Sequence, residues 1–156
     1  HCLSSAASDV YKRQEYMDVG NTNAWQLDDV ITGQDIRHRL KGRFGSLSPV
    51  APKHRGQVAR TYRSPDGAEF GFIESVSNPF CGDCSRARLS ANGSLYTCLF
   101  SSKGHDLKGI LRMDGDVDDV QRAVRSIWET RSDRYSAERS TMDVKPTKVE
   151  MSFIGG

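Results

Sequence analysis

The sequence predicts a mixed α/β chain: one strand–loop–helix unit of a larger α/β fold, followed by an α+β region built on β-hairpins. Three observations carry this. A short apolar run ends in an Asn-rich loop and gives way to a capped helical pattern. Two turn signals, Pro65-Asp66-Gly67 and Asn92-Gly93, each sit between alternating runs. Two helical stripes then precede a last alternating stretch.

Taken in order, Tyr16-Met17-Asp18-Val19 reads as a short buried strand that stops at Gly20. A helix starts at Thr32, where Asp35 three positions on completes a capping pair and Ile36 and Leu40 supply the inward stripe. From Gly45 to Arg55 the chain is loop-like, with Pro49, Pro52 and scattered Gly and Ser, and this is the candidate domain boundary. Val58, Arg60 and Tyr62 alternate before the first turn, and Phe70, Phe72 and Ile73 follow it as the return strand. The second hairpin lies between ARLSA and SLYTCLF. Leu107, Ile110 and Leu111 form a short apolar stripe; Val117, Val120, Val124, Ile127 and Trp128 form a longer one, with Asp116 as N-cap. The closing KVEMSFIGG alternates like a strand and ends in two glycines.

Composition excludes some roles. Lys and Arg number 22 against 20 Asp and Glu, too even a balance for a chain that coats nucleic acid. No run approaches the roughly 20 apolar residues that cross a bilayer, and the start is not of the signal-peptide type. The expectation is a soluble, cytoplasmic chain with no nucleic-acid or membrane partner; a homodimer is compatible with it. The first residue is His1, and residues 1–14, HCLSSAASDVYKRQ, resemble translated sequencing-adapter read-through. They are expected to be a non-native leader, an ordinary disordered leader being the alternative. Cys2 is therefore left out of the chemistry, and the chain reads as truncated at its front.

The remaining cysteines, Cys81, Cys84 and Cys98, fall within eighteen positions. Three clustered cysteines in a chain of this kind suit metal ligation better than a disulfide framework. Cys81-Gly-Asp-Cys84 is a C-x-x-C, whose thiolates converge from one tight turn, and the Asn92-Gly93 hairpin folds Cys98 back toward them. Three thiolates can serve a structural zinc site if His105 is the fourth ligand. They can also hold a 4Fe–4S cluster with one open iron, which would bind substrate directly. Three buried, unliganded thiols are the plain alternative. Arg86 and Arg88 follow at alternate positions, so on a strand both guanidiniums face one way and suit phosphate or carboxylate groups. A solvated arginine face is the competing reading.

EYMDVGNTNAW, FCGDCSRARLSANGSLYTCLF, TRSDRYSAER and the terminal SFIGG stand in this order from Glu15 to Gly156. With them the chain resembles the C-terminal portion of the molybdenum cofactor biosynthesis protein A family, the radical S-adenosylmethionine GTP 3′,8-cyclases. The C-x-x-C-x-R-x-R stretch with its later cysteine is the specific part. The resemblance implies an incomplete radical-SAM (TIM-like) barrel over residues 15–45, its last strand–loop–helix. It implies that residues 46–156 are the C-terminal domain, whose β-hairpins carry the cluster and bind GTP. It further implies that one 4Fe–4S cluster, in the missing front, cleaves S-adenosylmethionine to a 5′-deoxyadenosyl radical that takes the ribose 3′-hydrogen of GTP. The second cluster, held by Cys81, Cys84 and Cys98, would bind GTP through its open iron, with Arg86, Ala87 and Arg88 against the nucleotide. Met17 matches a position that touches S-adenosylmethionine, although methionine in a buried strand is ordinarily core. Gly155 and Gly156 match a tail that reaches the active site, although any C-terminus frays.

The departures are as informative. The radical-cluster motif is absent, Lys12-Arg13-Gln14 stand where a substrate-binding arginine is expected, and Ala24 stands where the family usually has glycine. The chain alone is therefore expected to be inactive. The rival readings are a zinc-stabilised Cys₃His binding module without chemistry and a small electron-transfer domain; the latter usually fills every iron with protein ligands.

Overall fold

A computed structural model describes residues 11–142 and 146–154 of the chain. Its backbone divides into two compact units. The first comprises the described residues up to Met17 together with Gln26–Asp83; the second comprises Asp18–Trp25 and the residues from Cys84 onward.

In the first unit, β1 (Tyr11–Gln14), α1 (Gly33–Phe44), β2 (Ser48–Val50), β3 (Arg60–Arg63) and β4 (Glu69–Ile73) follow in order. The strands form one sheet ordered β1-β4-β3-β2. The β3–β4 hairpin pairs antiparallel with Tyr62 opposite Phe70, and its turn closes through the Gly67 N–H on the Ser64 carbonyl at 3.0 Å. Gly67 has φ +91°, a backbone state that glycine adopts without strain. β1 pairs parallel with β4, Tyr11 opposite Phe70, which requires the crossover through α1. All four β1 residues are exposed, and Lys12 and Arg13 blunt this sheet edge. Phe72, 2% exposed, anchors the core with Tyr62 at 5.8 Å between ring centroids, and Phe44 packs edge-on against Phe70 at 5.0 Å.

The helix start is as expected. Thr32 accepts from the Asp35 N–H, Asp35 accepts back from the Thr32 N–H, and the capping box is complete. Two expectations are corrected. The opening strand lies at Tyr11–Gln14, and Tyr16–Val19 is not a strand. The backbone leaves the ladder after the Glu15 N–H reaches the Ile73 carbonyl, because the Glu15 and Asp18 side chains are drawn to separate buried polar sites. Ser48–Val50, inside the stretch expected to be loop, pairs with β3. Among the described residues, the strands do not close into a barrel.

In the second unit, β5 (Arg88–Leu89), β6 (Ser94–Tyr96) and β7 (His105–Asp106) form an antiparallel sheet in that order. The Asn92-Gly93 turn closes β5 onto β6, with Gly93 at φ +83°. Helices α2 (Lys108–Arg112), α3 (Val117–Thr130) and α4 (Tyr135–Glu138) follow. Asp116 and Asp119 cap α3 as a reciprocal pair. Phe100 stacks on Tyr135 at 4.6 Å, and Ile154 is 1% exposed. The closing segment is not the expected strand: residues 151–154 form turns, with the Phe153 N–H on the Glu150 carbonyl and the Ile154 N–H on that of Met151. Its alternation is overridden because Lys148 and Glu150 both turn to partners in residues 18–21.

Candidate functional site: the Cys84 loop and its arginines

Cys81 opens a single 3₁₀ turn, Cys81–Asp83, that ends the first unit; Cys84 and Cys98 belong to the second. All three are free thiols of intermediate exposure, so none is an inert core cysteine. Their chemistry suits thiolate ligation. Among the described residues, however, no three His, Cys, Asp or Glu side chains gather to hold one metal ion. His105, the candidate fourth zinc ligand, is exposed on β7 opposite Leu95.

The electrostatics centre on Cys84. Burial pushes its thiol up, but the Arg86 backbone N–H, the Arg86 guanidinium and Arg131 bring it below the ordinary thiol range. Arg86 Nη2 lies 3.7 Å from Cys84 Sγ. From the far end of α3, Arg131 Nη1 donates to the Cys84 carbonyl at 2.9 Å, with its guanidinium 4.4 Å over the Trp128 ring. Cys84 beside two arginines can ligate metal through its sulfur, and the arginines can attract an anion.

The expected strand pairing of the two arginines does not form. The ladder begins at Arg88, which pairs with Tyr96, so Arg86 precedes it and follows its own geometry. Arg86 is exposed and turned to sulfur; Arg88 is half-buried, with Nη1 3.5 Å from the Ile154 carbonyl. Ala87 between them is exposed. Cys98 leaves β6 two residues after Tyr96. Gly155 and Gly156 lie outside the described residues.

Met17 is half-buried and accepts from Gln14 Nε2 at 3.6 Å. Two buried carboxylates bracket it in sequence. Glu15, 4% exposed, accepts from the N–H groups of Gly33 at 3.0 Å and of Val76 and Ser77 at 2.8 Å each, and from the Ser77 hydroxyl. Burial raises the Glu15 pKa, and these hydrogen bonds, Ser77 foremost, outweigh it, so the group sits below the usual range. In the second unit Asp18 is bound by Lys148 Nζ at 2.8 Å, Tyr135 Oη at 2.6 Å and Arg139 Nη2 at 2.9 Å. Burial again raises its pKa, but Lys148, Tyr135 and the Arg139 charge bring it down. Burial and then Asp18 push the Tyr135 hydroxyl well up.

Sequence reasoning missed Arg131, Tyr135, Arg139 and Lys148 as site-organising residues. The first three lie in TRSDRYSAER, whose density of arginine beside tyrosine was the available signal. Ala24 adopts φ +48°, the left-handed backbone that glycine takes freely.

The Molybdenum Cofactor Synthesis C family model matches residues 14–137. A GTP 3′,8-cyclase of Staphylococcus epidermidis is 42% identical over 147 residues, covering 91% of this chain and 43% of the relative. One of Xanthomonas campestris pv. campestris is 46% identical over 143 residues, covering 91% and 41%. One of a Synechococcus strain is 45% identical over 143 residues, covering 91% and 40%. The chain thus spans less than half the length of these curated relatives.

Proposed function

The chain belongs to the Molybdenum Cofactor Synthesis C family, and on that premise we propose that it serves as the substrate-side part of a radical S-adenosylmethionine GTP 3′,8-cyclase. The whole enzyme would convert GTP to 3′,8-cyclo-7,8-dihydro-GTP in molybdenum cofactor biosynthesis, in the cytoplasm. Residues 15–45 would be the last strand–loop–helix of a barrel whose front, with the S-adenosylmethionine-cleaving 4Fe–4S cluster, this chain does not contain. Residues 46–156 would form the cluster- and GTP-binding domain.

Cys81, Cys84 and Cys98 would hold the second 4Fe–4S cluster. When bound, that cluster supplies an open iron that anchors GTP and acts as a Lewis acid. Everything else is done by the chain's own residues. Arg86 balances negative charge at the Cys84 sulfur and presents its remaining N–H donors to the charged oxygens of the nucleotide. Arg88 would offer its guanidinium to the nucleotide from β5, and Ala87 stands between the two arginines without bulk. Met17 offers a thioether to S-adenosylmethionine, and Gly155-Gly156 would enter the active site without side-chain bulk. The chain by itself would not turn over GTP.

The observation that carries this reading is the contact of Arg86 with the Cys84 sulfur inside the family-matched C-x-x-C-x-R-x-R stretch. The test is anaerobic reconstitution of this chain with iron and sulfide, followed by metal analysis and electron paramagnetic resonance with and without GTP. About four irons per chain, as a 4Fe–4S cluster requires, and a spectrum altered by GTP are the expected result. Stoichiometric zinc, no cluster and no response to GTP would make this a zinc-stabilised binding module instead.

A further inference from the structure

Residues 18–21 and 146–154 both belong to the second unit, although 127 positions separate Asn21 from Lys148. Asn21 reads the backbone of Lys148 as a neighbouring strand would. Its Nδ2 donates to the Lys148 carbonyl at 2.6 Å and its Oδ1 accepts from the Lys148 N–H at 2.9 Å, so one side chain satisfies both main-chain groups. The Asn21 N–H and the same Nδ2 also reach Glu150 Oε1, at 2.9 and 3.0 Å. Gly20 makes room for that carboxylate: at φ +65°, a Cβ there would press on Glu150 Oε2. The Lys148 side chain is buried, with Nζ on the Asp18 carboxylate and carbonyl and 4.7 Å from the Tyr135 ring centroid. At the far end Ile154 is buried too, and its carbonyl lies 3.5 Å from Arg88 Nη1. Between these two anchors the segment forms no strand, and the Val149 N–H bonds the Ser101 carbonyl at 3.2 Å.

We propose that residues 18–21 are a clasp for the C-terminal segment, with Asn21 as its positioning residue. The clasp sets where residues 148–154 lie and, through the Ile154 carbonyl, what Arg88 meets. A segment held by a few side chains instead of a ladder opens as a local unit, separately from the helices beside it. The task is specific to an amide. Aspartate has the same shape, but it sets an oxygen against the Lys148 carbonyl and the Glu150 carboxylate, where Asn21 donates. The clasp goes beyond the nucleotide reading and does not rest on it.

The experiment is hydrogen–deuterium exchange on the whole 156-residue chain, with no iron, sulfide or GTP added. Mass spectrometry reads the fragments covering residues 147–154 and α3 in wild type, Asn21→Ala and Asn21→Asp. Losing the two hydrogen bonds to Lys148 should speed exchange over residues 147–154 about fivefold or more in Asn21→Ala, with α3 within about twofold of wild type. Asn21→Asp should exchange at least as fast. Adding Glu150→Gln to Asn21→Asp should recover part of the loss, because a glutamine amide can donate to the carboxylate at position 21. That rescue separates a pairing asparagine from one that merely fills space. Wild-type exchange over residues 147–154 in both single variants would overturn the inference. So would α3 exchange that rises as much as that of the C-terminal segment, since Asn21 would then support the whole unit. If Asn21→Ala does not fold by circular dichroism, Gly20→Ala displaces the Glu150 carboxylate alone and is expected to speed exchange of the same fragment. An unchanged rate in Gly20→Ala and in Asn21→Asp would be equally fatal.

Discussion

Replacing Asp18 with alanine removes the acceptor of two buried hydrogen bonds, from Lys148 Nζ at 2.8 Å and Tyr135 Oη at 2.6 Å, and the anion of an ion pair with Arg139 Nη2 at 2.9 Å. Asp18, Arg139 and Lys148 are 4%, 7% and 7% exposed, so the truncation takes the carboxylate away from two cations where water hardly reaches, Lys148 keeping its bond to the Asp18 carbonyl. Truncating one member of a buried pair costs about 3–5 kcal/mol, most of it the burial of the partner left behind. At about 2–4 °C per kcal/mol for a chain of this size, the thermal midpoint should fall by roughly 6–20 °C. Asp18→Asn keeps an oxygen acceptor without the charge and should lose about half as much. Trp25 and Trp128 both belong to the second unit, so urea unfolding followed by tryptophan fluorescence reports on the unit that contains the network. Lys148→Met is the control: combined with Asp18→Ala it should cost less than the two single losses added, since the two share one ion pair. A loss below about 1 kcal/mol for Asp18→Ala, with additive single effects, would refute the reasoning and mean that the cations are hydrated in solution.

The other predictions concern acid stability, backbone strain and ligation. The folded pKa values of Glu15 and Asp18 both lie below their ordinary ones, so their contribution is complete above about pH 5 and fades as the pH falls through the folded values. Acid titration by circular dichroism should show Asp18→Asn with a weaker acid dependence; an unchanged limb would exclude Asp18 as a cause. Ala24→Gly should stabilise the chain by about 1 kcal/mol, because Ala24 stands at φ +48°, where a Cβ is unfavourable. Gly42→Ala should add roughly 0.5 kcal/mol, since a Cβ there meets nothing within 4 Å in the last turn of α1. Gly33→Ala should destabilise, because its Cβ would press on the Glu74 carboxylate; paired thermal scans that rank these two alanines the other way would contradict the packing. Cys98→Ala should abolish most iron uptake on reconstitution while His105→Ala preserves it, and the reverse dependence, with zinc bound, would point to a Cys₃His site.

What could be read from the sequence was what neighbouring residues settle among themselves. Thr32 with Asp35, Asp116 with Asp119, Pro65-Asp66-Gly67 and Asn92-Gly93 all act within four residues, and each produced the expected cap or turn. Two of the misreadings share one cause. Tyr16–Val19 reads as a short buried strand and KVEMSFIGG as an alternating one, yet Glu15 answers to donors 61 and 62 residues away, and Asp18 to Lys148 130 residues away. A buried charge that finds its partner outranks a weak alternation, and no local window shows the partner. The candidate site divides the same way. Cys81, Cys84 and Cys98 announce themselves by spacing. Arg131 does not, because its relation to Cys84 exists only once α3 has folded. Arg86 and Arg88 were expected to share a strand face, and the ladder's start at Arg88 separates them.

That division bears on Met17. A methionine in a buried strand would be core, and its thioether would meet only carbon. Here the residue is in no strand, is half-buried, and takes a hydrogen bond on sulfur from the Gln14 amide. Its backbone is fixed from both sides: Glu15 is held by three N–H groups in the first unit, and Asp18 by three side chains in the second. Met17 ends the opening segment of the first unit, so the chain changes unit immediately after it. Two buried carboxylates flanking one flexible, polarizable side chain do little for Met17's own burial. They do restrict where its backbone can go, which is what a ligand-contacting thioether requires and a core methionine does not. The proposed contact with S-adenosylmethionine therefore gains its support from Glu15 and Asp18 rather than from Met17 itself.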